Sequence, residues 1–186
     1  MQHPTPRPSA YQVQERGSHR AEHGAGLGVE LAAVVSGACR RAVRDEDRQI
    51  DTAHLLHSLL ESDPEVCAVL GEDRRIARLL GYLVQRSIAY GLRWQSAVED
   101  SGSVPVVVRT TGFSPLAAAG LECARERAAR HGGPARGVDL LAAIIADPQA
   151  RAVEVLEHAG IGHRDVLARL DAARAGDPLL TERWKG

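Results

Sequence analysis

The sequence predicts an all-α fold of two tandem four-helix repeats that pack with pseudo-twofold symmetry. Apolar residues recur at helical spacing along most of the chain. Aromatic residues make up only 3% of it, so the core must consist mainly of Leu, Val, Ile and Ala, which suit close-packed helices better than a β-sandwich. The third observation is a duplication: D-T-A-H-L-L-H-S-L-L-E-S-D-P, from Asp51, returns in similar form as R-G-V-D-L-L-A-A-I-I-A-D-P, from Arg136.

The first repeat spans 26–91. It follows a segment, 1–25, that holds three prolines and has too little apolar surface to order, so we expect a disordered tail there. Thr52 should cap the second helix, Pro64 should open the third and Gly71 should end it. The fourth helix should run over about 73–90. The residues that these helices should bury are Leu27, Leu31, Val34, Val35, Ala38, Ala42, Leu55, Leu56, Leu59, Leu60, Val66, Val69, Leu70, Ile76, Leu79, Leu80, Leu83 and Ile88.

A linker at 92–112 interrupts the helices. It contains a valine-rich run at 104–108, and Pro105 within that run argues against a central β-strand. The second repeat follows at 113–174, where Ser114 should cap the first helix and Pro115 should take the first helical position. Further helices are predicted at 138–146, from Pro148 to Gly160 and at 163–173, with a C-terminal tail at 175–186.

The two repeats align over a long stretch. Residues 31–60 align with 116–145 without a gap, which pairs Leu31 with Leu116 and places Leu55 and Leu56 on Leu140 and Leu141. A unit of this kind cannot bury its apolar face alone and packs against its twin. We therefore expect 26–174 to fold as one globular domain.

Composition excludes several classes of protein. With 23 basic and 24 acidic residues the net charge is −1, so no overall field attracts the chain to nucleic acid or to a membrane. No apolar run approaches the 18–20 or so residues that span a bilayer, and the N-terminus has no secretory signal pattern. Cys39, Cys67 and Cys123 occur singly, which predicts reduced core thiols and a cytoplasmic protein. The Arg and Ala bias indicates a GC-rich genome, such as an actinobacterial one.

Three segments of the second repeat carry a family resemblance: F-S-P-L-A-A-A-G-L-E-C-A-R-E-R-A, G-V-D-L-L-A-A-I-I and V-E-V-L-E-H-A-G-I. They resemble the Clp N-terminal repeat, which opens the ClpC, ClpA and ClpB unfoldases. The resemblance covers about 27–91 and 112–173. The first repeat departs from the pattern, because Leu27-Gly28-Val29 stands where an aromatic residue and Thr-Asp or Thr-Pro are usual. The resemblance implies a substrate- and adaptor-docking domain, here a stand-alone copy without the ATPase modules.

Motifs of catalysis are missing from the sequence. It contains neither G-x-x-x-x-G-K-[ST] nor G-x-S-x-G, and its only lysine is Lys185. We therefore expect hydrolysis of neither ATP nor protein, and no cofactor. His54 and His57 lie at i, i+3 beside Asp51, as two metal ligands would, but neither a third nearby carboxylate nor H-E-x-x-H accompanies them. We expect His54 to serve packing, His57 to face solvent, and no metal site.

Two arginine-rich stripes are the strongest basic clusters. Acidic residues interleave with both, which is typical of a solvated helix surface with i,i+4 ion pairs. We prefer that interpretation to a nucleic-acid site. The stripes consist of Arg40, Arg41, Arg44 and Arg48, and of Arg74, Arg75 and Arg78.

The resemblance also implies a ligand site. In the family, an apolar groove around the F-T-P segment and the first helix takes adaptors, and in actinobacterial ClpC also cyclic peptide antibiotics. Phe113, the only phenylalanine, either lines this groove or staples the start of its helix. The residues that match the groove are Phe113, Ser114, Pro115, Ala118, Leu27, Leu31 and Val35.

Other ligands and roles are weighed on the same basis. Some N-terminal domains of the family bind phosphoarginine through the acidic residue of G-T-E-H-L-L. Ala53 and Val138 stand at those positions, and neither can accept a hydrogen bond from a guanidinium, so phosphoarginine binding is not expected. The expected partners are Clp adaptor or substrate proteins, with neither nucleic acid nor membrane. The alternatives are a homodimeric scaffold and a nucleic-acid-associated regulator that use the repeat only as structure.

Overall fold

A computed structural model describes residues 27–89, 98–99 and 112–175. The predictions for the two tails and for the valine-rich run at 104–108 lie outside these residues. The described part contains eight helices and two very short strands, in agreement with the predicted all-α class. The elements in chain order are α1 (Val29–Arg44), β1 (Gln49–Ile50), α2 (Thr52–Ser62), α3 (Pro64–Leu70), α4 (Asp73–Ala89), β2 (Gly112–Phe113), α5 (Pro115–Ala129), α6 (Gly137–Ile144), α7 (Arg151–His158) and α8 (His163–Ala175).

Side-chain caps set the starts of three helices. Ser114 caps α5 as predicted, since its Oγ accepts a hydrogen bond from the Ala117 amide at 3.1 Å. Pro64 begins α3 as predicted, with Asp63 as the cap. The prediction that Thr52 caps α2 is wrong by one residue: Asp51 is the cap, and its carboxylate accepts from the His54 amide at 2.9 Å. Thr52 is the first helical residue, and its hydroxyl donates to Glu99 and accepts from the Ala152 amide at 3.0 Å instead of capping.

The start of α7 also differs from the prediction. Pro148 does not open this helix, which begins at Arg151. The Asp147 carboxylate accepts from the Gln149 amide at 2.8 Å, and the Asp147 carbonyl accepts from the Ala150 amide at 3.0 Å. These bonds hold 147–150 in a tight turn. The helix can start only after that turn.

Two extended pairings join the repeats, and neither was predicted from the sequence. Strands β1 and β2 pair in parallel, with Ile50 opposite Phe113, and the Ser114 amide donates to the Ile50 carbonyl at 2.9 Å. Leu27 forms a second parallel bridge with Ala135. In each pairing, a residue two positions before the first helix of one repeat lies opposite a residue two positions before the second helix of the other. We call these contacts the Phe113 seam and the Leu27 seam; they are equivalent under the pseudo-twofold.

The gapless alignment of the repeats is wrong by one residue in the first helices. The buried residues of α1 lie 86 positions before their counterparts in α5, one more than the predicted offset of 85. Helices α2 and α6 keep the offset of 85. The connection between the first and second helices is therefore one residue shorter in the second repeat, and Leu27 is the counterpart of Phe113. The matched buried pairs are Leu31 with Ala117, Val34 with Gly120, Ala38 with Ala124, and Ala42 with Ala128.

A single apolar cluster runs through both repeats. Helix α2 packs against α1 and α4 of its own repeat and against α5, α6 and α7 of the other. The prediction of three core cysteines is wrong for Cys123, which is exposed, because the buried face of α5 passes through Gly120, Leu121 and Ala124. Both repeats therefore bury their apolar faces in one core made mostly of aliphatic side chains, with Tyr82 and Phe113 packed at its edge.

Gly120 lies where α5 packs against α6, and we predict that Gly120→Ala lowers the free energy of unfolding by about 1–3 kcal/mol. A β-carbon there would lie 2.8 Å from the Ile144 Cγ2 atom, with Ile144 backbone atoms close behind. Gly81 in α4 is the control, because nothing lies within 4 Å of its added β-carbon. Gly81→Ala should be neutral or stabilising by up to about 1 kcal/mol. Urea unfolding measures both; equal effects would contradict the close packing.

Candidate functional site

The predicted binding residues fall into two groups by burial. The side chains of Leu31 and Ser114 point inward, at 1% and 0% exposure, so they support the surface from beneath. The other five are half-buried. Phe113, Pro115 and Ala118 lie together at the start of α5, beside Ile50 of the Phe113 seam. Leu27 and Val35 belong to the first repeat, where Leu27 lies on the Leu27 seam against Ala135.

A buried carboxylate, Glu99, lies behind the Phe113 seam. Its Oε2 atom accepts from the Thr52 amide at 2.9 Å and from the Ser114 hydroxyl at 2.6 Å. Its Oε1 atom accepts from the Arg151 amide at 2.7 Å and from the Thr52 hydroxyl. Thr52 and Arg151 are the first residues of α2 and α7, so the anion faces the positive ends of two helices. Glu99 thereby ties the segment between the repeats to the starts of α2, α5 and α7.

A buried ion pair continues this network. Asp51 accepts from the Arg151 guanidinium, with 2.6 Å between Oδ2 and Nη1. On its other oxygen, Asp51 lies 2.7 Å from His54 Nδ1, and His54 Nε2 lies 3.0 Å from Asp47 Oδ2. We call Asp47, Asp51, Thr52, His54, Glu99, Ser114 and Arg151 the polar cluster. All but Asp47 are buried.

The sequence pointed to only part of the polar cluster. Thr52 and Ser114 were predicted as caps, and His54 was considered with His57 as a pair of metal ligands beside Asp51. Glu99 and Arg151 were missed, because Glu99 bonds to residues 47 and 52 positions away and a glutamate in a linker has no local pattern that sets it apart. Within the described ranges, no group of three or more His, Cys, Asp or Glu side chains is arranged to hold a metal ion.

His54 carries a proton in this network. Burial by itself lowers its pKa, but the hydrogen bonds and charges of Asp47 and Asp51 outweigh burial and raise the pKa to about 9. Both ring nitrogens then donate to carboxylates. The Asp51 amide also approaches Nδ1 at 3.2 Å, but a protonated nitrogen is no acceptor, so we assign the bond to the nearer carboxylate oxygen. His54 is thus an imidazolium between two aspartates.

The His54 charge predicts a pH dependence of stability. The folded-state pKa, about 9, lies above the ordinary 6.5, so the stabilisation is complete below about pH 6.5 and is lost as pH rises through 9. In that window the free energy of unfolding should fall by up to about 1.4 kcal/mol per pH unit. Urea unfolding of the native protein and of His54→Gln, pH by pH, measures this. Parallel curves between pH 6.5 and 9 would show that His54 is neutral in the folded protein.

The expectation that His57 faces solvent is wrong. Its side chain is buried against α1, with Nε2 3.6 Å from Glu61 Oε1. Burial and the neighbouring Arg41 lower its pKa to about 4, so it is neutral near pH 7. Its contribution to stability has the opposite pH dependence to that of His54: it is present above about pH 6.5 and is lost as pH falls through 4. His57→Gln is therefore the matched variant for the same urea-unfolding measurements below about pH 6.5.

The arginine stripes are less uniformly solvated than expected. Arg41 has only 11% of its side chain exposed and pairs with Glu61 of α2. Arg78 donates to the Ala159 carbonyl of the second repeat at 3.4 Å. These arginines therefore connect helices in addition to covering them.

Ala53 and Val138 stand where the family pattern has its phosphoarginine-binding carboxylates, and both side chains are apolar and enclosed. Ala53 is 1% exposed, and Val138 is half-buried against the core. Neither offers a polar atom to solvent.

Comparison with solved structures gives a match for the fold. The chain resembles the crystal structure of the N-terminal domain of the Caseinolytic protease associated chaperone ClpD from Arabidopsis thaliana, with a TM-score of 0.58. The match covers 81% of this chain and 94% of that one, at 18% sequence identity. No protein-family model and no curated protein matches the sequence. Among the described helices, none has the length and apolar character to cross a bilayer. The chain has the fold of a Clp N-terminal domain, as its two repeats predicted.

Proposed function

We propose that this protein is a non-enzymatic protein- and peptide-binding module that acts as the docking domains of Clp unfoldases do. Its role is that of an accessory or decoy in Clp-dependent proteolysis, and its ligands are adaptor or substrate segments of hydrophobic character, including cyclic peptides. The observation that carries the proposal is the double-repeat fold together with Phe113, which is half-buried at a seam between the repeats.

The site geometry supports this choice. Phe113, Pro115 and Ala118 give the start of α5 an apolar surface with few rotatable bonds. Ser114 beneath them is fixed on one side by its cap and on the other by Glu99. A surface whose backbone is held in this way loses little conformational entropy when a partner docks. In the first repeat, Leu27 is the counterpart of Phe113, and Val35 is a further half-buried apolar side chain.

Phe113→Ala tests the site. If Phe113 contacts the partner, the variant should weaken binding of a hydrophobic or cyclic peptide by about thirtyfold, which corresponds to about 2 kcal/mol. If Phe113 only supports the fold, the variant should instead lose about 3–5 kcal/mol of stability. Affinity by fluorescence anisotropy and melting temperature on the same sample separate the two outcomes.

Two further variants sharpen the test. Leu27→Ala changes the equivalent position on the other seam, and its effect on affinity shows whether both repeats contribute. Arg75→Ala alters an exposed side chain of α4 and should change neither affinity nor melting temperature by much. If Phe113→Ala melts and binds like the native protein, the partner docks elsewhere.

A further inference from the structure

An open cavity of about 300 Å³ lies on the second repeat, where the end of α5 meets the end of α8. Its volume is at the lower end of the range for small-ligand sites. The cavity is lined by Arg127, Arg130, His131, Asp171 and Arg174. None of these residues belongs to the seams or to the polar cluster.

Positive charge dominates this cavity. Arg127 pairs with Asp171 at 2.8 Å, and Arg174 pairs with the buried carboxylate of Asp139. Arg130 has no ion-pair partner among the described residues. The pKa of Arg174 is lowered by burial and by the positive charges of Arg127, Arg136 and Arg130. The two aspartates therefore leave part of the arginine charge uncompensated.

A structural role accounts for only part of the arrangement. The Arg127 carbonyl, near the end of α5, lies 3.4 Å from Arg174 Nη2 and 2.8 Å from His131 Nδ1. Both donors complement the negative end of the helix. Neither bond involves Arg130, and the buried Nε of Arg127 has no hydrogen-bond partner in the described structure. The guanidinium donors of the exposed Arg130 thus remain for a ligand.

We propose that this cavity binds a phosphate monoester, the group carried by a phosphorylated serine or threonine side chain. Guanidinium groups match the oxygen geometry of phosphate with paired hydrogen bonds. A compact dianion can meet Arg127, Arg130 and Arg174 together, whereas the single carboxylate of Asp171 occupies Arg127 alone. The cavity shares no lining residue with the proposed peptide-docking seams, so variants can test the two sites independently.

Calorimetric titration of the native protein at constant ionic strength tests the proposal, with a phosphoserine peptide, its unphosphorylated form and inorganic phosphate as ligands. Constant ionic strength is required because salt screens exposed charges. Binding of the phosphopeptide without binding of its unphosphorylated form is the expected result. Inorganic phosphate that binds as tightly as the peptide also supports the site, and shows that the phosphate group alone is recognised.

Three variants locate the binding. Arg130→Gln removes a charge without breaking an ion pair, so it should weaken phosphopeptide binding at least tenfold with little change in melting temperature. Asp171→Asn removes the competing carboxylate and should tighten binding severalfold. Arg164→Gln, ten residues and thus about 15 Å from Arg174 along α8, should leave the affinity unchanged.

Three results would overturn the proposal. The first is a native protein that binds neither the phosphopeptide nor phosphate. The second is an Arg130→Gln variant with native affinity. The third is a single-stranded oligonucleotide that binds more tightly than the phosphopeptide and with a steep salt dependence, which would assign the arginines to nucleic-acid phosphodiesters.

Discussion

Glu99→Ala should lower the free energy of unfolding by about 3 kcal/mol or more. The change leaves two buried amides, of Thr52 and Arg151, and two buried hydroxyls, of Thr52 and Ser114, without their acceptor. A buried donor without a partner costs about 1–3 kcal/mol, and the hydroxyls can recover part of this by rotating to other acceptors. Urea unfolding measures the loss. Glu99→Gln, which keeps one acceptor oxygen, should fall between alanine and the native protein.

The Glu99 prediction has a control and an independent check. Glu122→Ala removes an exposed glutamate that pairs with Arg125 on the same helix, and should cost less than about 1 kcal/mol. Acetate should restore part of the melting temperature of Glu99→Ala, because the vacated donors suit a small carboxylate that binds only the folded state. A loss below about 1 kcal/mol in Glu99→Ala would mean that the segment at 98–99 does not hold the repeats together.

Arg151→Met should be similarly destabilising, by about 3–5 kcal/mol. Arg151 and Asp51 form a buried pair, with 8% and 0% of their side chains exposed, and removing one partner leaves the other charge buried without full compensation. Methionine keeps much of the arginine side-chain volume. The hydrogen bond from the Arg151 backbone amide to Glu99 does not depend on the side chain and is retained. The comparison variant is Arg136→Met, whose ion pair with Glu65 is exposed and should contribute less than about 1 kcal/mol.

A double-mutant cycle isolates the Arg151–Asp51 interaction. Asp51→Asn keeps a side chain that can cap α2 while it removes the charge. The double variant should be more stable, by at least 1 kcal/mol, than the sum of the two single losses predicts. Additivity within about 0.5 kcal/mol would show that the two side chains do not stabilise each other.

Local patterns in the sequence were sufficient for the helices. The spacing of Leu31, Val34, Ala38 and Ala42 predicted the buried face of α1, and the Ser114-Pro115 pair predicted the start of α5. These features depend on residues a few positions apart, where helical periodicity and capping operate. The duplication in the sequence further predicted that two such units pack together, which is the observed fold.

Features set by tertiary contacts could not be predicted in this way. Thr52 was expected to cap its helix, but its hydroxyl is bound by Glu99, from another part of the chain. The start of α7 was placed at Pro148, but the turn at Asp147 and the Glu99 bond to the Arg151 amide place it at Arg151. His57 was expected to face solvent, but it is enclosed between α1 and α2. For Thr52 and for the Arg151 amide the deciding partner, Glu99, is distant in sequence, whereas the Asp147 turn is a local feature that helical periodicity does not reveal.

The candidate site shows the same division. Of the seven residues suggested by the family resemblance, Leu31 and Ser114 are enclosed, since Leu31 belongs to the periodic core face of α1 and Ser114 bonds to Glu99. The remaining five keep exposed apolar surface. Motif matching therefore selected segments of the chain, while the direction of each side chain depended on packing.

The most direct test of the proposed function is an NMR titration of the native protein with a hydrophobic or cyclic peptide that it binds. We expect saturable amide shifts concentrated at 112–118 on the Phe113 seam, with a second set at 27–35 if both repeats take part, and we expect the first set to vanish in Phe113→Ala. Shifts confined to α4 or to the end of α8, with 112–118 unchanged at saturation, would contradict the proposal that partners dock where the two repeats meet.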